Sequence, residues 1–333
     1  MKLIRPVLFF IAFLVCHSQL TAQDFHKSLY NMMPLSFNPA FTGDFEGTVR
    51  IAGLYKDQNS GTYKTPSLSI DVPIILIRKR DWLSAGLTFD NDQAGDLGLT
   101  TNRSTLSVSY HLALDKKGED YLVLGYQFGS ESRFFKNRND AVLTSSNDNV
   151  FNGAVLKDQS ISGNFSNLGL MYRSKLDKKT DFNIGAAYLY LIRPNGEVTT
   201  SSSTGGDASR LRSEFVFHGS IDREINDKLS IHPSFLIRNR QSTEVLVQSM
   251  WGYLIRPDLQ LRIKGGLGWD IDQGPALLLG ADYGDWEFGA SIEFPIYGVA
   301  EATNFGGFEI SARRILKIYK KPVVEPTICC PDL

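Results

Sequence analysis

From about residue 46 to residue 318 the chain repeats one pattern, apolar residues at every second position, and no stretch after the first 22 residues approaches the ~20 consecutive apolar residues of a membrane-spanning helix. Leu106, Val108, Tyr110, Leu112 and Leu114 interleave with Ser107, Ser109, His111 and Ala113. Leu122, Leu124, Tyr126 and Phe128 alternate with Val123, Gly125, Gln127 and Gly129, and Trp286, Phe288, Ala290 and Ile292 with Glu287, Gly289, Ser291 and Glu293. A period of two sends successive side chains to opposite faces of a strand, so each segment has one apolar face and one small or polar face. The chain reads as all-β. Its apolar faces need a cover, which is either a second sheet, as in a sandwich, or lipid, as in a membrane barrel.

Residues outside the strands choose between these. The first 22 residues carry a basic start (Lys2, Arg5), an apolar run from Val7 to Cys16 and the small pair Thr21 and Ala22, the layout of a secretory signal. Val15 before Cys16 argues against lipoprotein processing, so cleavage is expected near Ala22. Strands are expected near 46–56, 65–72, 82–90, 100–114, 120–134, 160–174, 181–191, 212–224, 228–239, 244–255, 259–269, 275–283, 286–294 and 306–318, fourteen in all. Tight connections such as Asp177-Lys178-Lys179, Arg256-Pro257-Asp258 and Gly284-Asp285 alternate with a set that contains the long segments 135–159, 192–211 and 295–305. Export, an even strand count and this alternation point to a transmembrane antiparallel β-barrel. Both barrel ends then fall on the short-turn rim. The expected organisation is a signal peptide (1–22), a periplasmic N-terminal segment (23–45), the barrel (46–318) and a periplasmic tail (319–333).

Lys and Arg number 35 against 36 Asp and Glu, and loss of Lys2 and Arg5 with the leader leaves 33 against 36. That balance excludes the strongly basic footprint of a nucleic-acid binder. Past the leader only Cys329 and Cys330 remain, adjacent to one another, which supplies neither a disulfide scaffold nor a structural zinc site. Asp90, Asp92, Gly95 and Asp96 suggest a calcium loop, but Ala94 and Thr101 stand where ligands are needed, and a turn is expected there. Ser109 and His111 share an inward face, as a barrel hydrolase would require, but no G-x-S-x-G elbow is present and ordinary lumen filling explains them. Trp82, Trp251, Trp269 and Trp286 near strand ends are expected at the lipid interfaces. Arg313, Arg314, Lys317, Lys320 and Lys321 read as a strand end meeting lipid headgroups, or as a docking tail. No cofactor or metal is expected.

Several strings resemble a known family. Asn38-Pro39-Ala40-Phe41-Thr42-Gly43 resembles the NPA-aromatic-x-G opening of the PorP/SprF family of type IX secretion system membrane proteins. Asn91-Asp92-Gln93-Ala94-Gly95 resembles its ND-x-x-G loop, Phe308-Glu309-Ile310-Ser311 its closing strand, and Cys330-Pro331-Asp332-Leu333 its cysteine-proline ending, although Asp332 departs from the expected basic residue. The resemblance implies a non-enzymatic outer-membrane barrel that assists secretion or surface retention of cargo such as gliding adhesins. It also implies partnership with other secretion components and with a peptidoglycan-associated periplasmic lipoprotein, met by Asn38, Pro39, Asn91, Asp92, Gly95, Lys320, Lys321, Cys330 and Pro331. In the family reading Asn38-Pro39 also caps or plugs the periplasmic mouth. A passive porin or hydrophobic-substrate channel and a barrel hydrolase are the alternatives.

Overall fold

The alternating segments form the fourteen expected strands. The computed structural model describes residues 27–58, 61–78, 80–95, 98–135, 161–192, 212–240, 242–296 and 306–318. The leader and the tail with Lys320, Lys321, Cys329, Cys330 and Pro331 lie outside the described residues. The strands are β1 (Val49–Gln58), β2 (Tyr63–Leu76), β3 (Trp82–Ala94), β4 (Leu99–Ala113), β5 (Asp120–Phe135), β6 (Ile161–Asp177), β7 (Thr180–Ile192), β8 (Glu214–Glu224), β9 (Leu229–Asn239), β10 (Thr243–Arg256), β11 (Leu261–Asp270), β12 (Gly274–Tyr283), β13 (Trp286–Glu293) and β14 (Gly307–Leu316). Each pairs antiparallel with its sequence neighbours, and β1 closes on β14 from Val49↔Leu316 to Gln58↔Gly307. Closure leaves no unpaired sheet edge, the condition for crossing lipid with strands. Among the described residues no helix is long and apolar enough to cross a membrane.

The two faces divide as the period requires. On β5, Leu124 is 52% exposed on the outside while Val123, one residue away, is fully buried. Leu106, Val108, Tyr126, Phe128, Ile263 and Leu267 continue the exposed apolar belt, and Trp251, Trp269 and Trp286 stand on it. Trp82 corrects the expectation for the fourth tryptophan. It faces the lumen and stacks on His111, ring centroids 4.3 Å apart, because it shares strand parity with the buried Ser84. Arg313 is a second correction: it faces inward to the Asn31 carbonyl and Glu287, while Arg314 turns outward over Trp286.

The rim holding the start of β1 and the end of β14 is the terminal rim, and its connections are all short. The opposite, distal rim joins strands through the three long segments 136–160, 193–213 and 294–306, alongside four short ones. β3 runs past its expected end to Ala94, so Asn91 and Asp92 belong to the strand, and of that string Gly95, at φ +72°, lies in the turn.

Residues 27–45, expected as a segment before the barrel in which Asn38-Pro39 caps or plugs its mouth, lie deeper than a mouth cap. They form no extension beyond the barrel but fill its lumen, in three short 3-10 turns (Tyr30–Met32, Pro34–Ser36 and Pro39–Phe41). Leu29, Tyr30, Met32, Met33, Leu35, Phe37 and Ala40 are buried against inward barrel residues. The physical reason is composition: this segment is rich in apolar residues without strand periodicity, and inside the barrel they pack on apolar inward residues such as Val123, Met171, Leu54 and Leu278.

Candidate functional site

The Asn38-Pro39-Ala40 string is the keystone of this plug. Asn38 caps the turn Pro39–Phe41, its side-chain Oδ1 accepting from Ala40 N (2.9 Å), with proline at the first position where no N–H is needed. That bond fixes the amide, so Asn38 Nδ2 donates to His218 Nε2 (2.8 Å), and at longer range to the carbonyls of Leu170 and Ala186 (3.4 Å each). The His218 ring therefore carries its proton on Nδ1. Phe37 and Phe41 pack edge-on and tilted against the same ring, at 5.2 and 4.9 Å.

The wall is hollowed to receive it. Gly125 of β5 and Gly169 of β6 face each other in register. A Cβ on Gly125 would stand 2.3 Å from Ala40 N and Pro39 C, and one on Gly169 would stand 2.0 Å from Asn38 Oδ1. The two positions must lack side chains for the backbone to approach this closely.

Charged side chains tie the plug along its length. Near the terminal rim Arg50 pairs with Asp71 through two bonds (2.9 and 2.7 Å) and donates to the Phe41 carbonyl (2.8 Å), while Asp71 accepts from Gly43 N (2.7 Å). Asp44 pairs with Arg173 (2.7 Å). Toward the distal rim Glu309 accepts from two successive backbone N–H groups, Ser28 and Leu29 (2.7 Å each). Ser28 Oγ donates to Glu293 (2.5 Å), and Lys56 lies between both carboxylates (2.7 and 3.1 Å). Lys27 pairs with Asp90 (3.0 Å). Each buried charge thus has a partner and hydrogen bonds, the condition under which burying it is tolerated.

The lumen is filled asymmetrically. On the terminal side of the plug a cavity of about 590 Å³ remains, bordered by Arg173, Asp181, Lys264 and Arg313 and reaching the turn residues Lys178 and Lys179. Within it Lys264 bridges Asp282 and Glu287 (2.7 Å each), and the His232 ring hydrogen-bonds Asp222. On the distal side a cavity of about 60 Å³ lies beside Arg103, Arg238 and Tyr190. Tyr190 is held at φ +57° in a bulge opposite Asn167, which turns two consecutive residues, Leu189 and Tyr190, inward. Its ring lies under Arg240 (4.8 Å), and its hydroxyl donates to Glu131 (3.2 Å).

The structure does not assemble the expected partner-binding residues on one surface. Asn38 is fully buried and Pro39 buried at mid-lumen. Asn91, Asp92 and Gly95 lie at the distal rim, where Asn91 bonds Asn102 and Asp92 accepts from Thr65 (2.8 Å). Asp90 is committed to Lys27 and Ser67, and Asp96 of the same string lies outside the described residues. Ser109 and His111 are indeed close (3.0 Å), but both hydrogen-bond the Thr42 carbonyl (2.6 and 2.8 Å). With the Nε2 proton directed at that carbonyl, the ring nitrogen has no lone pair for the serine proton, and no carboxylate orients His111 Nδ1. The pair anchors the plug. The anchoring residues missed in the sequence are Arg50, Asp71, Lys56, Glu293, Glu309, Gly125, Gly169 and His218. Their one readable signal was charge or glycine at inward strand positions.

A family model described as Type IX secretion system membrane protein PorP/SprF matches residues 19–313. No curated protein matches the chain. Among solved structures the chain is similar to the P. putida toluene transporter TodX, at 11% identity and TM-score 0.45 over 90% of this chain and 97% of that one. It is also similar to a Pseudomonas aeruginosa FadL homologue, at 12% and 0.43 over 83% and 92% of the two chains. A third is the translocator domain of autotransporter NalP from Neisseria meningitidis, at 10% and 0.43 over 85% and 93%.

Proposed function

Since the chain belongs to the PorP/SprF family of type IX secretion system membrane proteins and is an outer-membrane β-barrel, we propose that it assists secretion or surface retention of type IX cargo, such as adhesins, as a docking component without catalysis of its own. The terminal rim, with its short turns, faces the periplasm in this reading, and the distal rim with its long segments faces the cell exterior. A peptidoglycan-associated lipoprotein binds at the terminal rim, where the tail with Lys320, Lys321, Cys330 and Pro331 begins.

The observation that carries this reading is the filled lumen. A passive porin needs a continuous aqueous path, whereas here buried apolar residues and paired charges of residues 27–45 occupy the lumen. Removal of residues 322–333 is the direct test. No strand is lost, so the truncated protein should assemble and migrate as a folded barrel in unheated detergent gels, while lipoprotein co-purification and surface display of a subset of cargo fall. Normal display by the well-folded truncation would reject the tail's role, and normal display in a complete knockout would remove the secretion reading itself.

A further inference from the structure

At the terminal rim the β2–β3 hairpin breaks the pattern that the rest of the wall obeys. β1 pairs with β2 only as far as Arg50↔Asp71, while β2 continues against β3 to Leu76↔Trp82. A bulge between Pro73 and Ile75 interrupts the period of two, and Ile74, Ile75, Leu76 and Ile77 are all exposed, at 61%, 56%, 64% and 49%. Four consecutive large aliphatics in water are unfavourable, so they call for an apolar cover. A partner's strand fits poorly there, because Pro73 supplies no N–H within the overhang and the bulge disturbs the ladder beside it.

Cations crowd the same place. Arg78, Arg80, Lys116 and Lys117, from the β2–β3 and β4–β5 turns, are exposed, as is Leu114 beside them. Arg80 reaches across to the second turn, where a Cβ on Gly118 would stand 3.3 Å from Arg80 Cδ. The nearby carboxylates are spent on the turns themselves: Asp81 accepts from the Tyr110 hydroxyl and Ala113 N (3.0 Å each), and Asp115 from four backbone N–H groups. Arg78 thus stands 4.0 Å from Asp81, and Lys117 4.0 Å from Glu119. Elsewhere on this rim the pairs are closer, Lys175 with Glu46 (3.3 Å), Lys179 with Asp227 (3.4 Å) and Arg256 with Asp258 (2.9 Å). We propose that Arg78, Arg80, Lys116 and Lys117 clasp the phosphate of an anionic glycerophospholipid, whose acyl chains lie on the aliphatic ridge of residues 74–77. An under-compensated cationic cluster beside exposed aliphatics is complementary to such a lipid in both charge and polarity. That the lipid belongs to the periplasmic leaflet rests on the orientation proposed above, and the clasp itself does not.

The test uses the full-length protein in nanodiscs of equal dioleoyl-phosphatidylglycerol and dioleoyl-phosphatidylethanolamine, released into mild detergent, with the retained lipid identified by native mass spectrometry. A basic residue at an anionic headgroup contributes about fivefold, so the native protein should retain phosphatidylglycerol about tenfold or more over phosphatidylethanolamine. The triple variant Arg78→Gln, Arg80→Gln, Lys117→Gln should lose that preference. A second triple variant, Lys175→Gln, Lys179→Gln, Arg256→Gln, removes the same charge from the paired cations of the same rim and should keep it. Migration as a folded barrel in unheated gels checks both variants. Equal retention of the two lipids by the native protein, native-like retention by the first variant, or equal loss in both variants would overturn the clasp and leave the patch to a protein surface. Orientation is read separately, with Cys329 and Cys330 changed to Ser. Lys178→Cys is expected to react with a membrane-impermeant maleimide only after permeabilisation. Reaction on intact cells would overturn the leaflet named here and leave the lipid measurement untouched.

Discussion

At the scale of single residues, two glycines decide whether this barrel is closed. Gly125 and Gly169 sit opposite one another, and the backbone of Asn38-Pro39-Ala40 occupies the space where their side chains would be. Gly125→Val should therefore expel the keystone turn while leaving the strand intact, because valine suits a strand and the outer face is untouched. The expected outcome is a barrel that still assembles but shows larger conductance steps than the native protein in a planar bilayer. Conductance equal to the native protein's would mean that the plug accommodates the side chain. Glycine at an inward strand position is visible in sequence, but what it makes room for is not. The approaching backbone lies 85 residues away, from Ala40 to Gly125.

At the scale of elements, the terminal turns are built by local side-chain caps. In the β4–β5 turn Asp115 accepts from the backbone N–H groups of Lys117, Gly118, Glu119 and Asp120 (2.7 to 3.1 Å). Desolvation works against its charge, but these four donors outweigh it and hold its pKa down to about 2. A carboxyl with a folded pKa below its unfolded value stabilises fully above the unfolded value and loses that contribution as pH falls through the folded one. The turn should thus hold through mild acid and loosen between roughly pH 4 and about 2. Amide exchange at Gly118 and Glu119 measures this, and Asp115→Asn should abolish the pH dependence. A pH-dependent Gly118 amide in that variant would assign the transition to another group. Aspartate followed by Lys-Lys-Gly reads as a turn from sequence, and here local chemistry suffices. The bulge that turns Tyr190 inward had no such local mark.

At the scale of the molecule, the belt and the lumen respond to charge for different reasons. Leu124→Arg puts a cation on the lipid face and should destabilise the barrel by roughly 2 to 4 kcal/mol if that position lies near mid-bilayer. The sequence reading expects Gln127→Arg to cost less, since inward positions tolerate charge. The structure reverses that ranking's basis. Gln127 is 4% exposed, accepts from Asn167 (2.5 Å) and donates to Thr105 (3.0 Å) and, at 3.4 Å, to the Leu35 carbonyl of the plug. Arginine there has no space and strands Asn167 Nδ2 without its acceptor, so it should release the plug as well as destabilise the wall. Unfolding in detergent with conductance measured in parallel separates the two variants: Leu124→Arg is expected to lose stability with the lumen still closed, and Gln127→Arg to conduct. A closed Gln127→Arg barrel would show that the plug does not depend on this wall.

Strand number, the outward and inward faces apart from those of Trp82 and Arg313, and the sorting of long segments to one rim were determined by the sequence alone. A period of two is a local property of the backbone, and lipid enforces it over the length of every strand. The lumen's contents were decided only by tertiary structure. Lys56, Glu293 and Glu309 read correctly as inward polar residues, but they become a latch only when β1 closes on β14 and Ser28 arrives between them. Residues 27–45 have no period that announces burial, and only the family resemblance of Asn38-Pro39 hinted at a plug. Their apolar side chains find a dry surface only once closure, joining residues 49 and 316, has created an inside.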